Sequence, residues 1–181
     1  MSEKTEEPAK KVFKLSEADP RFKYELSKTL GAEKLMMCFQ CGTCTADCPI
    51  ARFSGSYRPS QILRMALFGM KSKVLSSDDL WLCAACFTCI DRCPRDVEFA
   101  NVLRVLRNMA VKEGFIPAVF REIGSNVVKN GSAYEIPELR LKKREAAGLP
   151  PLPKFASERV TKLAEIVGFT KLIEKKRELN A

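Results

Sequence analysis

Two runs of the form C-x₂-C-x₂-C-x₃-C-P, at Cys38, Cys41, Cys44, Cys48, Pro49 and at Cys83, Cys86, Cys89, Cys93, Pro94, consume all 8 cysteines of the 181-residue chain. A backbone that turns every third residue carries three thiolates to three corners of one cubane, and the fourth corner has to be filled from elsewhere. This is the ligand run of chains that hold two [4Fe–4S] clusters, where the fourth cysteine of each run binds the other cluster. It gives Cys38, Cys41, Cys44 and Cys93 to one cluster, and Cys48, Cys83, Cys86 and Cys89 to the second. Crossed ligation ties two halves of a domain together and couples metal insertion to folding. An electron carrier follows, with two [4Fe–4S] clusters and no catalytic residue of its own.

Other uses of cysteine fit less well. Structural zinc takes two separated C-x₂-C pairs rather than three cysteines in a tight run. A disulfide framework belongs to small secreted chains, whereas this one is long enough to bury a core and begins without an apolar signal segment. The absence of histidine (His 0) removes Rieske ligation, haem–histidine sites, histidine-containing zinc sites and histidine acid–base chemistry. No apolar stretch approaches the roughly 18 residues of a membrane helix, and reduced thiolates suit a cytoplasmic location with no membrane contact. The formal charge of +9 counts the cysteines as neutral; about −2 from each oxidised cluster with its thiolates lowers it to about +5. The remaining lysines and arginines lack the interleaved aromatics of a stacking platform, so nucleic acid is not an expected partner.

With 46% apolar and 29% charged residues the expectation is one globular domain with appended segments, and the helical patterns along it make the expected class all-α. Residues 1–20 are rich in lysine, glutamate and proline and read as a flexible tail. Residues 21–131 read as the cluster domain. Phe22, Leu26 and Leu30 predict a helix between Arg21 and Lys34 that stops at Gly31. Pro59, followed by Ile62, Leu63, Met65, Ala66 and Leu67, predicts another that ends near Gly69. Ser76 with Asp79 resembles a capping box for a helix running into Cys83. The clearest amphipathic segment sets Phe99, Val102, Leu103, Leu106, Met109 and Ala110 on one face, with Arg104 and Arg107 opposite, and stops at Gly114. A further helix is predicted from Pro117 to Lys129.

Residues 132–181 form a proline-broken extension with helical patches from Ser157 to Val167 and from Thr170 to Leu179. The stripe of Val160, Leu163, Ala164, Ile166 and Val167 either docks on a partner or packs on its own domain. Around the clusters, Phe39, Gln40, Gly42, Thr43, Ala84, Ala85, Phe87 and Thr88 set the local environment. Backbone N–H groups there donate to sulfur and raise the potential, while Phe39 and Phe87 exclude water and lower it. Trp81 is read as core, and Pro49 and Pro94 as helix starts, with Ile50 and Val97 covering the clusters.

The stretches Cys38-Phe39-Gln40-Cys41-Gly42-Thr43-Cys44-Thr45-Ala46-Asp47-Cys48-Pro49 and Cys83-Ala84-Ala85-Cys86-Phe87-Thr88-Cys89-Ile90-Asp91-Arg92-Cys93-Pro94-Arg95 resemble the small iron–sulfur C subunit of the heterodisulfide reductases of methanogenic archaea. The helical spacer, the length and the helical extension agree with that family. The resemblance implies an α-helical ferredoxin domain with its two [4Fe–4S] clusters held between helices. It also implies a place as the electron-transfer component of an oxidoreductase complex of the cytosolic type. In that complex electrons pass from the flavin-containing A subunit, where they are bifurcated, to the catalytic B subunit. The latter reduces the disulfide of coenzyme M and coenzyme B in methanogenesis, and a hydrogenase or formate dehydrogenase module feeds the flavin. The same helical module occurs in iron–sulfur subunits of lactate, glycolate and glycerol-phosphate dehydrogenases and of thiol:fumarate reductase, which stand as the alternative.

Overall fold

The computed structural model describes residues 13–152 and 157–175; most of the predicted flexible tail and the end of the last predicted helical patch lie outside the described residues. Among the described residues every regular element is α- or 3₁₀-helical, in agreement with the expected all-α class. None of these helices is long and apolar enough to cross a membrane. The chain forms two compact units. One takes the stretch ending at Val74 together with Ala85–Val102, and the other takes Leu75–Ala84 together with the chain from Leu103 onward.

The first unit opens with α1 (Phe22–Ser27) and a 3₁₀ turn, Glu33–Met37, where the sequence predicts one longer helix. Gly31, at φ 94°, separates them. Then come α2 (Thr43–Ala46), α3 (Pro49–Phe53), α4 (Pro59–Leu67), α5 (Lys71–Leu75) and α6 (Thr88–Asp91). The core gathers Phe22, Leu26, Leu35, Tyr57, Ile62, Leu63 and Ala66, none more than 2% exposed. Each large apolar side chain so buried contributes ~1.5–3 kcal/mol.

Helix α4 illustrates how the sequence builds an element that supports the site. Pro59 occupies its first position, where a missing N–H costs nothing. No side chain caps it from Arg58, yet the Ser60 N–H donates to Thr45 Oγ1 at 2.9 Å, and that hydroxyl donates to Ser60 Oγ at 2.8 Å. Thr45 lies between two cysteines of the first run, so a ligand-loop residue supplies the missing cap. Beyond the other end, Gly69 has φ 75°, and a Cβ there would stand 2.1 Å from the Asp19 carbonyl oxygen. Only glycine permits both, and the Asp19 N–H donates to Gly69 O at 2.8 Å across the same approach.

In the second unit, Ser77 accepts the Asp79 N–H at 3.2 Å and starts the 3₁₀ turn Asp78–Trp81. The cap expected at Ser76 is therefore one residue further on, and Ser76 itself is buried. Helix α7 (Phe99–Glu113), which enters this unit from Leu103 onward, follows its predicted stripe and stops at Gly114, at φ 93°. After it come α8 (Ala118–Asn130), α9 (Glu138–Ala146), α10 (Ser157–Ile166) and α11 (Phe169–Glu174), of which α8, α10 and α11 pack together. Thr161 Oγ1 donates to Val128 O at 2.8 Å, and Lys175 Nζ to Lys112 O at 2.6 Å. The predicted C-terminal stripe is split: Ala164 is buried, while Leu163, Ile166 and Val167 are exposed.

Candidate metal centre

The two cysteine runs repeat in backbone as well as in spacing. Gln40 and Gly42 have φ of 62° and 83°, and Ala85 and Phe87, at the same offsets in the second run, have φ of 51° and 62°. Left-handed residues alternating with ordinary ones turn successive N–H groups toward one side, a nest of the kind that receives the anionic sulfur of iron–sulfur sites. An L-residue held there costs ~1–2 kcal/mol; Gly42 avoids that cost and Phe87 bears it. From these positions each run enters a single helical turn, α2 after Gly42 and α6 after Phe87, and the two turns pack on one another. The Thr43 hydroxyl lies 3.3 Å from Cys41 Sγ and the Thr88 hydroxyl 3.5 Å from Cys86 Sγ, again at matching offsets.

Cys38, Cys41, Cys44, Cys89 and Cys93 line one open concavity, with Leu63, Val97 and Phe99 as its apolar wall. The Gln40 amide donates to Cys38 Sγ at 3.2 Å, and the Val97 backbone N–H donates to Cys93 Sγ at 3.4 Å. Burial, followed by the charges of Cys38, Cys89 and Cys41, pushes the Cys44 thiol up to about 12. The Thr43 hydroxyl holds Cys41 below its usual value, and the Thr88 hydroxyl does the same for Cys86. Thiols crowded so that they resist ionising together are relieved by bound cations, and N–H and O–H donors aimed at sulfur fit thiolates that carry iron. Among the described residues no three such side chains close on the position of a single ion; a cubane does not require it, since each thiolate binds its own iron. The residues therefore fit a [4Fe–4S] cluster. When bound, such clusters take up and release single electrons.

The other ligand candidates are held by different elements. Cys48 sits at the N-terminus of α3, whose carbonyl end is closed by Arg58: Nη1 donates to Ala51 O at 3.0 Å, Ser54 O at 2.8 Å and Tyr57 O at 2.9 Å. Cys86 is exposed beside Thr88. Cys83 follows the 3₁₀ turn of the second unit, and there Arg107 departs from the sequence reading, which set it on the solvent side of α7. Its Nε donates to Leu80 O at 2.6 Å and its Nη2 to Cys83 O at 3.2 Å, with the guanidinium 5.7 Å from the centre of the Trp81 ring. Trp81 stands 5.1 Å from Phe120, as part of the packing of this unit. Pro94 also departs from expectation. Pro49 opens a helix, but after Pro94 the chain passes through Asp96 and Glu98 at φ 51° and 57° before α7, and this turns the Val97 N–H onto Cys93. Gln40 was legible only as one of several loop residues, because its second partner, Arg64, whose Nε donates to Oε1 at 3.4 Å, stands 24 positions along the chain.

Residues 34–97 match the 4Fe-4S dicluster domain, which brings two [4Fe–4S] clusters with it. Along most of its length the chain is similar to proteins of methanogenic archaea. It is 36% identical over 168 residues to the C subunit of the H(2):CoB-CoM heterodisulfide,ferredoxin reductase of Methanothermobacter thermautotrophicus, with 90% of each chain covered. It is 35% identical to the iron-sulfur C subunit of the CoB–CoM heterodisulfide reductase of Methanopyrus kandleri, covering 92% of this chain and 93% of the relative. With the C subunit of the ferredoxin:CoB-CoM heterodisulfide reductase of Methanosarcina mazei the identity is 38%, over 81% of this chain and 91% of the relative. A dicluster domain, and similarity that extends over about 90% of both chains, place this chain in the family of the iron–sulfur electron-transfer C subunits of CoB–CoM heterodisulfide reductases.

Proposed function

We propose that this chain relays electrons through its two clusters from a flavin-containing A subunit, where electron pairs are bifurcated, to a catalytic B subunit that reduces the coenzyme M–coenzyme B heterodisulfide. The observation that carries the reading is the similarity to C-subunit sequences over 90% of both chains, which reaches well beyond the cysteine runs. A hydrogenase or formate dehydrogenase module completes the electron supply, and the complex is cytoplasmic. Cys38, Cys41, Cys44 and Cys93 hold the first cluster; Cys48, Cys83, Cys86 and Cys89 hold the second. Cys93 on the same wall as Cys38, Cys41 and Cys44 supports the first set, and Cys89, which reaches that wall too, goes with its own run by spacing. Residues 132–181 dock on another component of the complex, which suits the exposed Leu163, Ile166 and Val167.

Anaerobic purification under native conditions, with iron and sulfide counted and co-eluting chains identified, tests the relay. About eight irons per chain, together with a flavoprotein and a second cysteine-rich chain, is the expected result. A chain that carries its clusters but purifies alone, or with an FAD dehydrogenase, overturns the heterodisulfide assignment. For the ligand sets, Cys48→Ala is expected to remove the cluster otherwise held by Cys83, Cys86 and Cys89. Loss of the other cluster instead would sink the crossed ligation.

A further inference from the structure

Gln40 occupies a costly conformation. It is held at φ 62°, a left-handed conformation where glycine is the ordinary choice. The side chain aims its amide nitrogen at Cys38 Sγ, 3.2 Å away, while its carbonyl oxygen accepts Arg64 Nε at 3.4 Å from helix α4. Arginine has only donors, so it fixes which end of the amide faces it, and the NH₂ group is left pointing at sulfur. Residue 85, at the same offset in the second run and also at positive φ, is alanine, whose methyl has no hydrogen to give.

We propose that Gln40, oriented by Arg64, is a positioning residue that sets the reduction potential of the first cluster, raising it through an N–H···S bond to the Cys38 thiolate. The inference rests on the two-cluster reading above. An added electron increases the negative charge on the cluster and its thiolates. A donor already aimed at one sulfur gains strength with that charge, so it stabilises the reduced form more than the oxidised one. The second run, lacking the amide at this position, does not receive this contribution. The pair of clusters is thereby made unequal by one side chain, which favours the first as the resting place of the electron.

The test is a spectroscopic redox titration of the full chain purified anaerobically with its clusters. In Gln40→Leu the reduction equilibrium of one cluster is expected to fall about tenfold, equal to 59 mV for a one-electron couple, with the other unmoved. Gln40→Glu keeps the shape and the Arg64 contact but loses the N–H donor, and its potential is expected to fall as well. Arg64→Met is expected to shift the same cluster by less, and to add nothing in the Gln40→Leu background, because Arg64 acts through the amide. About eight irons in every variant with unchanged potentials overturns the proposal, and so does loss of the first cluster from both Gln40 variants, which would make Gln40 an assembly residue. Absence of two clusters from the parent chain would be a failure of the underlying reading instead, so the two failures are distinct.

Discussion

Replacing Arg107 with alanine is expected to loosen the stretch that carries Cys83 and to cost the chain one of its clusters. The guanidinium fork holds the carbonyls of Leu80 and Cys83 at 2.6 and 3.2 Å and lies over the Trp81 ring, 5.7 Å from its centre. A hydrogen bond from a charged donor is worth ~1.5–3 kcal/mol; partial exposure and the longer second bond put the pair near ~2–3 kcal/mol together. The cation–π contact adds ~0.5–1 kcal/mol. A loss of ~3 kcal/mol multiplies the open population of this stretch about a hundredfold, at 1.4 kcal/mol per decade. The assay is iron release to a chelator under anaerobic conditions, followed by the absorbance of the freed iron. Arg107→Ala is expected to release about half of its iron early and the remainder at the parental rate, while Asn108→Ala, exposed on the same helix, behaves as the parent. Arg107→Lys is expected to fall close to the alanine variant, since a single ammonium cannot reproduce a fork that spans two carbonyls. Monophasic release at the parental rate from Arg107→Ala would refute the anchoring role.

Four further substitutions probe the framework. Gly69→Ala meets both a positive φ and the Asp19 carbonyl at 2.1 Å. A loss of ~2–5 kcal/mol is expected, read as a lower denaturation midpoint; an unchanged midpoint would refute the close approach. Gly42→Ala, with open space around it but φ +83°, is expected to lose only the conformational ~1–2 kcal/mol. Phe87→Gly at the matching offset is expected to gain up to ~1 kcal/mol once the backbone entropy of glycine is subtracted; a reversed order of the two midpoints would contradict the shared backbone of the runs. Thr45→Val keeps the shape but removes the partner of the Ser60 N–H, and ~1–2 kcal/mol of stability is expected to go with it. Equal denaturation curves for parent and variant would show that water caps α4 equally well.

Much of the site was legible because its chemistry is local in sequence. Cysteine spacing specifies cluster type, and helices such as α4 and α7 announce themselves by apolar period and by the glycines at their ends. What escaped is set by partners distant along the chain or by weak local signals. Arg107 looked like a solvent-side residue because periodicity sorts side chains by polarity and says nothing of two carbonyls elsewhere that need donors. Pro94 carries the same helix-start signal as Pro49, but the left-handed residues Asp96 and Glu98 delay the next helix, a conformation with no glycine to advertise it. Helix α9 was not expected at all: it has no buried residue, and its run Glu138–Ala146 shows no apolar stripe to read. At the C-terminus the apolar spacing was real, yet a helix as short as α10 shows only one edge to its neighbours and leaves Leu163, Ile166 and Val167 outside.

The hydroxyl of Thr45 is expected to make the first turn of α4 a local gauge of metal loading. Because Thr45 lies between Cys44 and Cys48, its bonds to Ser60 join α4 directly to the proposed ligand loop. With Cys44 and Cys48 as ligands, stripping iron is expected to loosen that hydroxyl, so that the Ser60 amide hydrogen trades with solvent even where the rest of the helix stays folded. One amide, followed by hydrogen exchange, would register assembly and decay of a neighbouring cluster in the dark, with no chromophore needed.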